Sequence, residues 1–254
     1  MTKLMQGRSV VDKLYQAGSA KCLFPRSSGT ALDAVLLNTA GGVTGGDRLA
    51  VSLHATAGSC LSVTTQACER AYKAQPGEVG QVRNTLHVGA GARVNWLPQE
   101  TILFDGSALD RRLSVALEPE ASLLLVEPLV FGRAAMGEVL NRAFLTDRID
   151  IRRRGTPIYI DSIRLQGNVA AHLARRFIAD GAGAMAALIY VTADAEAQLP
   201  SLRRLLPETA GASLIGDDVL VARFLARDSF ALRRGLLPVL QLLNNDEIPR
   251  CWMI

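Results

Sequence analysis

Aromatic residues are scarce, 5% of a 254-residue chain, and the basic residues are scattered as doublets such as Arg175-Arg176, Arg203-Arg204 and Arg233-Arg234. That leaves no stacking platform for single-stranded nucleic acid, and a formal net charge of +4 is mild. The densest basic run, Arg152-Arg153-Arg154 before Gly155, reads as a solvated cluster at a turn or as a patch for an acidic protein. No run of about twenty apolar residues exists, so no transmembrane helix is expected. The first residues lack the apolar core of a signal peptide, which makes the cytoplasm the default address. Cys22, Cys60, Cys68 and Cys251 show no C-x-x-C and no paired spacing, so buried free thiols are expected rather than disulfides or a zinc site. His54, His87 and His172 form no H-E-x-x-H, and there is no G-x-S-x-G elbow. The convergent set that an enzyme needs is missing, and a non-enzyme is expected.

What is present is an apolar half, 49% of the residues, and no low-complexity linker, which together indicate one globular domain over residues 1–254. The chain is organised around Leu36-Leu-Asn-Thr-Ala-Gly-Gly-Val-Thr-Gly-Gly-Asp-Arg-Leu49. Its glycine pairs, Gly41-Gly42 and Gly45-Gly46, permit positive φ and close backbone approach. Asp47-Arg48 stands where a phosphate-binding loop needs Lys-Ser/Thr, and the following Leu49, Val51 and Leu53 alternate as a strand rather than a helix. This loop joins strand to strand and does not bind a nucleotide.

A weak repeat follows. Val51–Ala55, Thr85–Val88 and Leu113–Leu117 each turn and return as Cys60–Thr64, Arg93–Leu97 and Ser122–Val126. The turn centres Gly58, Gly91 and Glu120 lie 33 and then 29 residues apart. Such spacing fits both a stack of hairpins and an ordinary β-sandwich. His54 and His87 occupy equivalent places, where they would stack on neighbouring layers and share a metal ion, or, on the polar side of the alternation, be surface residues. Asp147–Ile151 and Pro157–Leu165 read as a further hairpin. The last third predicts a helix from Asn168 to Gly181, a strand over 184–192, a helix over 194–206, a strand over 218–226 and a helix from Asp228 to Leu243 kinked at Pro238.

The glycine loop resembles the N-T-A-G-G-x-x-G-G-D-x-[LF] run of the urease accessory protein family UreD, called UreH in some bacteria. Further matching residues come in order: Thr65, Gln66 and Tyr72, the run Trp96-Leu-Pro-Gln99-Glu100, Phe104, Glu127, Phe131-Gly132-Arg133, Gly137-Glu138 and Pro249-Arg250-Cys-Trp252. The resemblance covers nearly the whole chain and implies a mainly β fold, a β-helical solenoid with a few helices in its C-terminal third. It also implies a further N-terminal strand before Met1. By the same resemblance the protein is a metallochaperone scaffold with no tightly bound cofactor. It would dock on urease apoprotein and recruit a UreF-like partner, and through that partner a UreG-like GTPase, so that nickel in transit reaches the urease site. The C-terminal helix is then a candidate face for a helical partner. The rival readings are a β-solenoid carbohydrate enzyme with paired carboxylates and a plain β-scaffold with no metal role.

Three acids interrupt apolar or tightly turned stretches: Asp47 after the glycine loop, Glu127 between Leu123–Val126 and Leu129–Phe131, and Asp161 after Ile158–Ile160. A buried acid must be hydrogen-bonded, paired or bound to a cation. Each therefore serves structure, through backbone or arginine partners, or lines a passage for a divalent cation, since carboxylates and water hold nickel loosely enough to release it. The resemblance raises the second reading, and Asp161, among three isoleucines, is expected to be the most shielded.

Overall fold

The computed structural model describes residues 1–26 and 29–253. It opens with a hairpin, β1 (Thr2–Met5) and β2 (Arg8–Val11), turned on Gln6-Gly7 with positive φ at both residues. A second antiparallel pair follows, β3 (Ala20–Leu23) and β4 (Leu32–Asn38). The repeat then runs β5 (Arg48–Ala55), β6 (Cys60–Thr65) and β7 (Glu69–Ala71). The next coil is β8 (Gly80–Val88), β9 (Arg93–Leu97) and β10 (Thr101–Leu103). The third continues through β11 (Ala108–Leu117) and β12 (Ser122–Phe131) to the long hairpin of β13 (Ala143–Arg153) and β14 (Thr156–Gly167). The last third is α1 (Val169–Leu173), β15 (Ala184–Val191), α2 (Ala195–Leu205), β16 (Ala210–Ile215), β17 (Val219–Ala226) and α3 (Ser229–Leu243).

The repeat is a parallel solenoid, and the predicted hairpins are corrected in one respect. The two arms of each repeat do not pair with each other; each pairs with the same arm one repeat later. Ala55 faces Val88 and Val88 faces Leu117 in one sheet, while Leu61, Val94 and Leu123 align in the other. A period of two gives every arm one apolar face, and swinging the chain from one sheet to the facing one buries both faces against each other. The first sheet runs β14-β13-β11-β8-β5-β1-β2 and the second β16-β17-β15-β12-β9-β6-β4-β3. The turns stack as well: Gly58 donates its N–H to Ala90 O (3.0 Å) and Gly91 to Pro119 O (3.2 Å). All three turn centres are left-handed, and in the third repeat Glu120 takes that conformation at φ +59°.

The glycine loop forms the first rung of a short third side. Val43 bridges Ala71, and β7, β10 and the end of β12 continue the ladder. A Cβ on Gly42 would stand 2.7 Å from Arg70 O and 2.3 Å from the Tyr72 ring, so the loop lies against its neighbour only because that residue has no side chain. Gly45 is equally constrained, by the Glu78 Cβ at 2.6 Å.

One buried cluster fills the space between the two sheets, a second lies between the outer face of the second sheet and α2 and α3, and a third sits beneath the third side. A strand buried on both faces reads as a continuous apolar run, which explains Leu123–Val126.

The C-terminal predictions hold in outline. Asp228 caps α3 by accepting from Ala231 N–H at 2.7 Å, and Asn168 caps α1 by accepting from Ala171 N–H at 2.9 Å. However, α1 stops at Leu173 instead of reaching Gly181, and turns occupy most of the remainder. Strand β16 and the short β7 and β10 are additions. The α3 stripe Leu232, Leu236, Val239, Leu240 and Leu243 is buried in the second core, so that stripe is not available to a partner. All four cysteines are free and half-buried rather than buried.

Candidate functional site

Inside the solenoid a cavity of about 390 Å³ descends from a mouth at Thr39, Gly41, Gln66, Ala67 and Arg70. Its walls include Val43, Leu49, Val51, Val82 and Leu109, and its floor is polar: Asn84, Trp96, Thr101, Arg111 and Glu127. The alternation that builds the core also builds this floor. Arg111 shares the inward side of β11 with Leu109 and Leu113, and Asp147 shares that of β13 with Leu145 and Ile149. Arg111 and Asp147 are cross-strand neighbours in register, and Glu127 reaches them from β12 in the facing sheet.

Arg111 donates to Asp147 from Nε (2.9 Å) and Nη2 (2.6 Å), to Thr101 Oγ1 (3.1 Å) from Nη1, and lies 2.7 Å from Glu127 Oε2 through the same Nη1. The other Glu127 oxygen accepts from Trp96 Nε1 at 2.7 Å. Burial pushes the Glu127 carboxyl up; Arg111 opposes that shift and Asp147 adds to it. For Arg111, burial works against the charged form, but the two carboxylates outweigh it and raise the guanidinium above its ordinary value. One guanidinium thus faces two carboxylates, and the fully ionised cluster carries a surplus negative charge. Beside it, Asn84 Oδ1 and Gln99 Nε2 are buried side-chain atoms without a hydrogen-bond partner. Polar atoms in that position mark a place built to receive water or an ion.

The three predicted acids are not brought together. Glu127 lies in the cavity floor with 4% of its side chain exposed, whereas Asp161 is 19% exposed and paired with Arg223 across the two sheets. Asp161 is therefore not the most shielded acid: it is on the edge strand β14, beside Ile160, which is 47% exposed. Asp47 accepts from Thr44 N–H at 2.9 Å and closes the turn of the glycine loop, beside a separate depression. Arg111 and Asp147 were missed, although both stand in inward positions of regular alternation.

Several residues of the resemblance meet around the cavity. Thr65 Oγ1 accepts from Gln99 N–H at 2.8 Å. Gln99 and Glu100 both accept from Arg233 of α3, whose guanidinium lies 5.4 Å from the Trp252 ring centre. Trp252 donates to Leu97 O at 2.9 Å. Gln66 stands exposed at the mouth, and Arg250 is exposed near the C-terminus. Burial, with Glu100 next to it, pushes the Cys68 thiol up to about 12, so the free side chain is a thiol and not a reactive thiolate at neutral pH. On the third side Tyr72 meets Phe104 edge-on at 5.0 Å, and Arg133 lies 4.1 Å over the Phe104 ring. His54 and His87 do stack in register, ring centres 5.9 Å apart. Among the described residues no group of three or more His, Cys, Asp or Glu is arranged to hold a metal ion.

Gly132 and Gly137, both left-handed, fold the segment between them so that Glu138 receives Arg133 Nε and Nη2, each at 2.9 Å. These bonds from Arg133 hold the Glu138 carboxyl down to about 2 from an ordinary 4.5. A depressed carboxylate stabilises the fold above its unfolded value, and that contribution is lost as pH falls through the folded one. Glu138→Gln should therefore flatten the decline in Tm between about pH 4.5 and 2. An acid limb identical to that of the wild type would show that this pair contributes nothing.

The fold is that of a mainly β protein, a solenoid of stacked coils enclosing a polar-floored cavity. The model of the UreD urease accessory protein family matches residues 2–253, and the chain belongs to that family. It is 70% identical over 253 residues to a urease accessory protein UreD of Ruegeria pomeroyi, covering 100% of this chain and 98% of the relative. The UreD of Roseobacter denitrificans is 51% identical, covering 100% and 92%, and that of Rhizobium etli 46%, covering 98% and 92%. These relatives are named as accessory proteins, not as enzymes. The family places the chain in urease maturation, and no described helix is long and apolar enough to cross a membrane.

Proposed function

We propose that the chain is the scaffold through which nickel reaches the urease active site in the cytoplasm. It docks on urease apoprotein and binds a UreF-like protein, and through that protein a UreG-like GTPase. GTP hydrolysis belongs to that last partner, in keeping with a glycine loop that joins strand to strand. The observation that carries the reading is the cavity that ends on Glu127 and Arg111, with Asp147 paired to Arg111 behind them. Carboxylate and hydroxyl oxygens bind a divalent cation without the tight grip of thiolates or imidazoles. Asp47 and Asp161, which lie outside this cavity, serve structure in this reading. Carbohydrate cleavage by paired carboxylates has no observation in its favour, because Arg111 pairs with both Glu127 and Asp147, and Arg233 with the third buried acid, Glu100.

Glu127→Gln tests it. The amide oxygen still accepts from Trp96 and Arg111 keeps Asp147, but the amide NH2 then faces Arg111 Nη1, so complex yield falls somewhat and the readout is taken per recovered complex. Nickel per urease site, measured on the same preparation, should fall severalfold. Unchanged nickel per recovered complex would rule out Glu127 as part of the passage. Asp47→Asn, whose amide oxygen can still accept from Thr44 N–H, and Asp161→Asn, at a partly exposed pair, should cost at most about 1 kcal/mol of stability and leave nickel per recovered site unchanged.

A further inference from the structure

The helices α2 and α3 cover the second sheet. The first sheet buries its inner face and turns the other outward across β5, β8, β11, β13 and β14. The outward positions of these five strands hold six arginines: Arg48, Arg83, Arg112, Arg148, Arg152 and Arg164. Against them stand two aspartates, Asp110 and Asp150, and no lysine or glutamate. The excess of four equals the formal net charge of the whole chain, so the rest of the molecule is neutral in sum. The charge that looked mild and scattered in the sequence is concentrated on one flat face.

The face is also ordered. Arg83, Arg112 and Arg148 stand opposite one another in register on three adjacent strands. Asp110 lies between Arg83 and Arg112 and also accepts from Thr146 Oγ1 at 2.8 Å. Asp150 lies between Arg148 (3.3 Å) and Arg152 (2.9 Å). Their arginine and threonine neighbours oppose the burial cost at Asp110, and the bond from Arg152 leads the effect at Asp150; both carboxyls lie below their ordinary values. Arg112, Arg148 and Arg152 remain 45–59% exposed at the side chain. Each guanidinium carries five donors, so forks anchored on an aspartate still present free N–H groups to an incoming carboxylate. Anchoring lowers the rotamer entropy lost when a partner arrives.

We infer that this arginine face is the docking surface for an acidic patch on a folded protein partner. The inference rests on the assembly role proposed above and names the surface that role would use. Asp110 and Asp150 lie among the arginines, where separate carboxylates of a protein can interleave with the guanidinium groups but a continuous phosphate backbone would be repelled. Stacking is also poorly served, since Phe144, half-buried, is the sole Phe, Tyr or Trp at these outward positions.

The test uses the full chain with three substitutions on the face, Arg112→Glu, Arg148→Glu and Arg152→Glu. A control carries the same charge change at exposed arginines elsewhere, Arg175→Glu, Arg176→Glu and Arg204→Glu. Binding to urease apoprotein, to the UreF-like protein and to a duplex RNA is measured at two salt concentrations. The face variant should bind one of the two proteins at least about tenfold more weakly, with a shallower salt dependence, while the control stays within about threefold. If face variant and control both bind the proteins as the wild type does, the docking inference is wrong and the assembly role stands. If RNA binding is lost with the face and protein binding is not, the surface serves nucleic acid and the inference is overturned. If the wild type binds neither protein, the assembly role fails and the inference falls with it.

Discussion

A chain ending at Arg227 is expected to be insoluble, or soluble and unfolded. Removing α3 takes away Leu232, Leu236, Val239, Leu240 and Leu243, each at most 2% exposed. At roughly 1.5–3 kcal/mol for each buried side chain, the five together are of the same order as the ~5–15 kcal/mol that holds a typical domain together. The loss does not end there. Glu100, its side chain 3% exposed, loses Arg233, and Leu97 O loses the Trp252 N–H. Soluble yield and far-UV circular dichroism of the truncated chain measure the outcome. A soluble, native-like truncation would mean that α3 is an appendage free to serve as a partner face.

Arg111→Leu should destabilise the protein by about 3–5 kcal/mol, because it leaves Glu127 and Asp147 buried without their cation. Both carboxyls would have to bind protons, so the defect should shrink as pH falls and grow above neutrality. Replacing all three members by apolar residues of similar size should recover much of the loss, since the desolvation cost of the charges disappears with them. Urea denaturation of the single and triple variants, compared at constant m, distinguishes the two effects. A single variant as stable as the wild type would mean that water already solvates the two acids through the cavity.

The coils were legible because alternation and turn glycines are local signals. Gly58 and Gly91 mark the turns, and Glu120 substitutes for a glycine at the third. Whether an arm pairs with its own return or with the next repeat is a long-range choice that spacing alone leaves open. The resemblance supplied the solenoid, and the register of Ala55 with Val88 displays it. Glu127 stood out because it broke an apolar run. Arg111 and Asp147 did not, because each sits in a strand with polar residues at alternate positions, and their inward side shows only when the phase is counted from Leu109 and Leu145. Asp161 obeys the same phase on an edge strand, where inward does not mean enclosed. The end of α1 was misplaced because the alanines after Leu173 satisfy helical periodicity equally well in a series of turns.

Both parallel sheets finish in antiparallel partners: β1–β2 and β3–β4 at one end, β13–β14 and β15–β17–β16 at the other. A stack of like coils presents at each extremity the same pattern of peptide groups that its interior uses to add another coil, so nothing in the repeat itself limits its length. The terminal hairpins cover the long edges of the coils, and at one end the strands left outermost, β2 and β3, are only four residues each, which leaves little edge for pairing from molecule to molecule. Duplicating one interior coil, for example residues 57–89, should lengthen the stack by one rung without changing the oligomeric state. Stripping a terminal hairpin should instead convert a discrete particle into the seed of a filament.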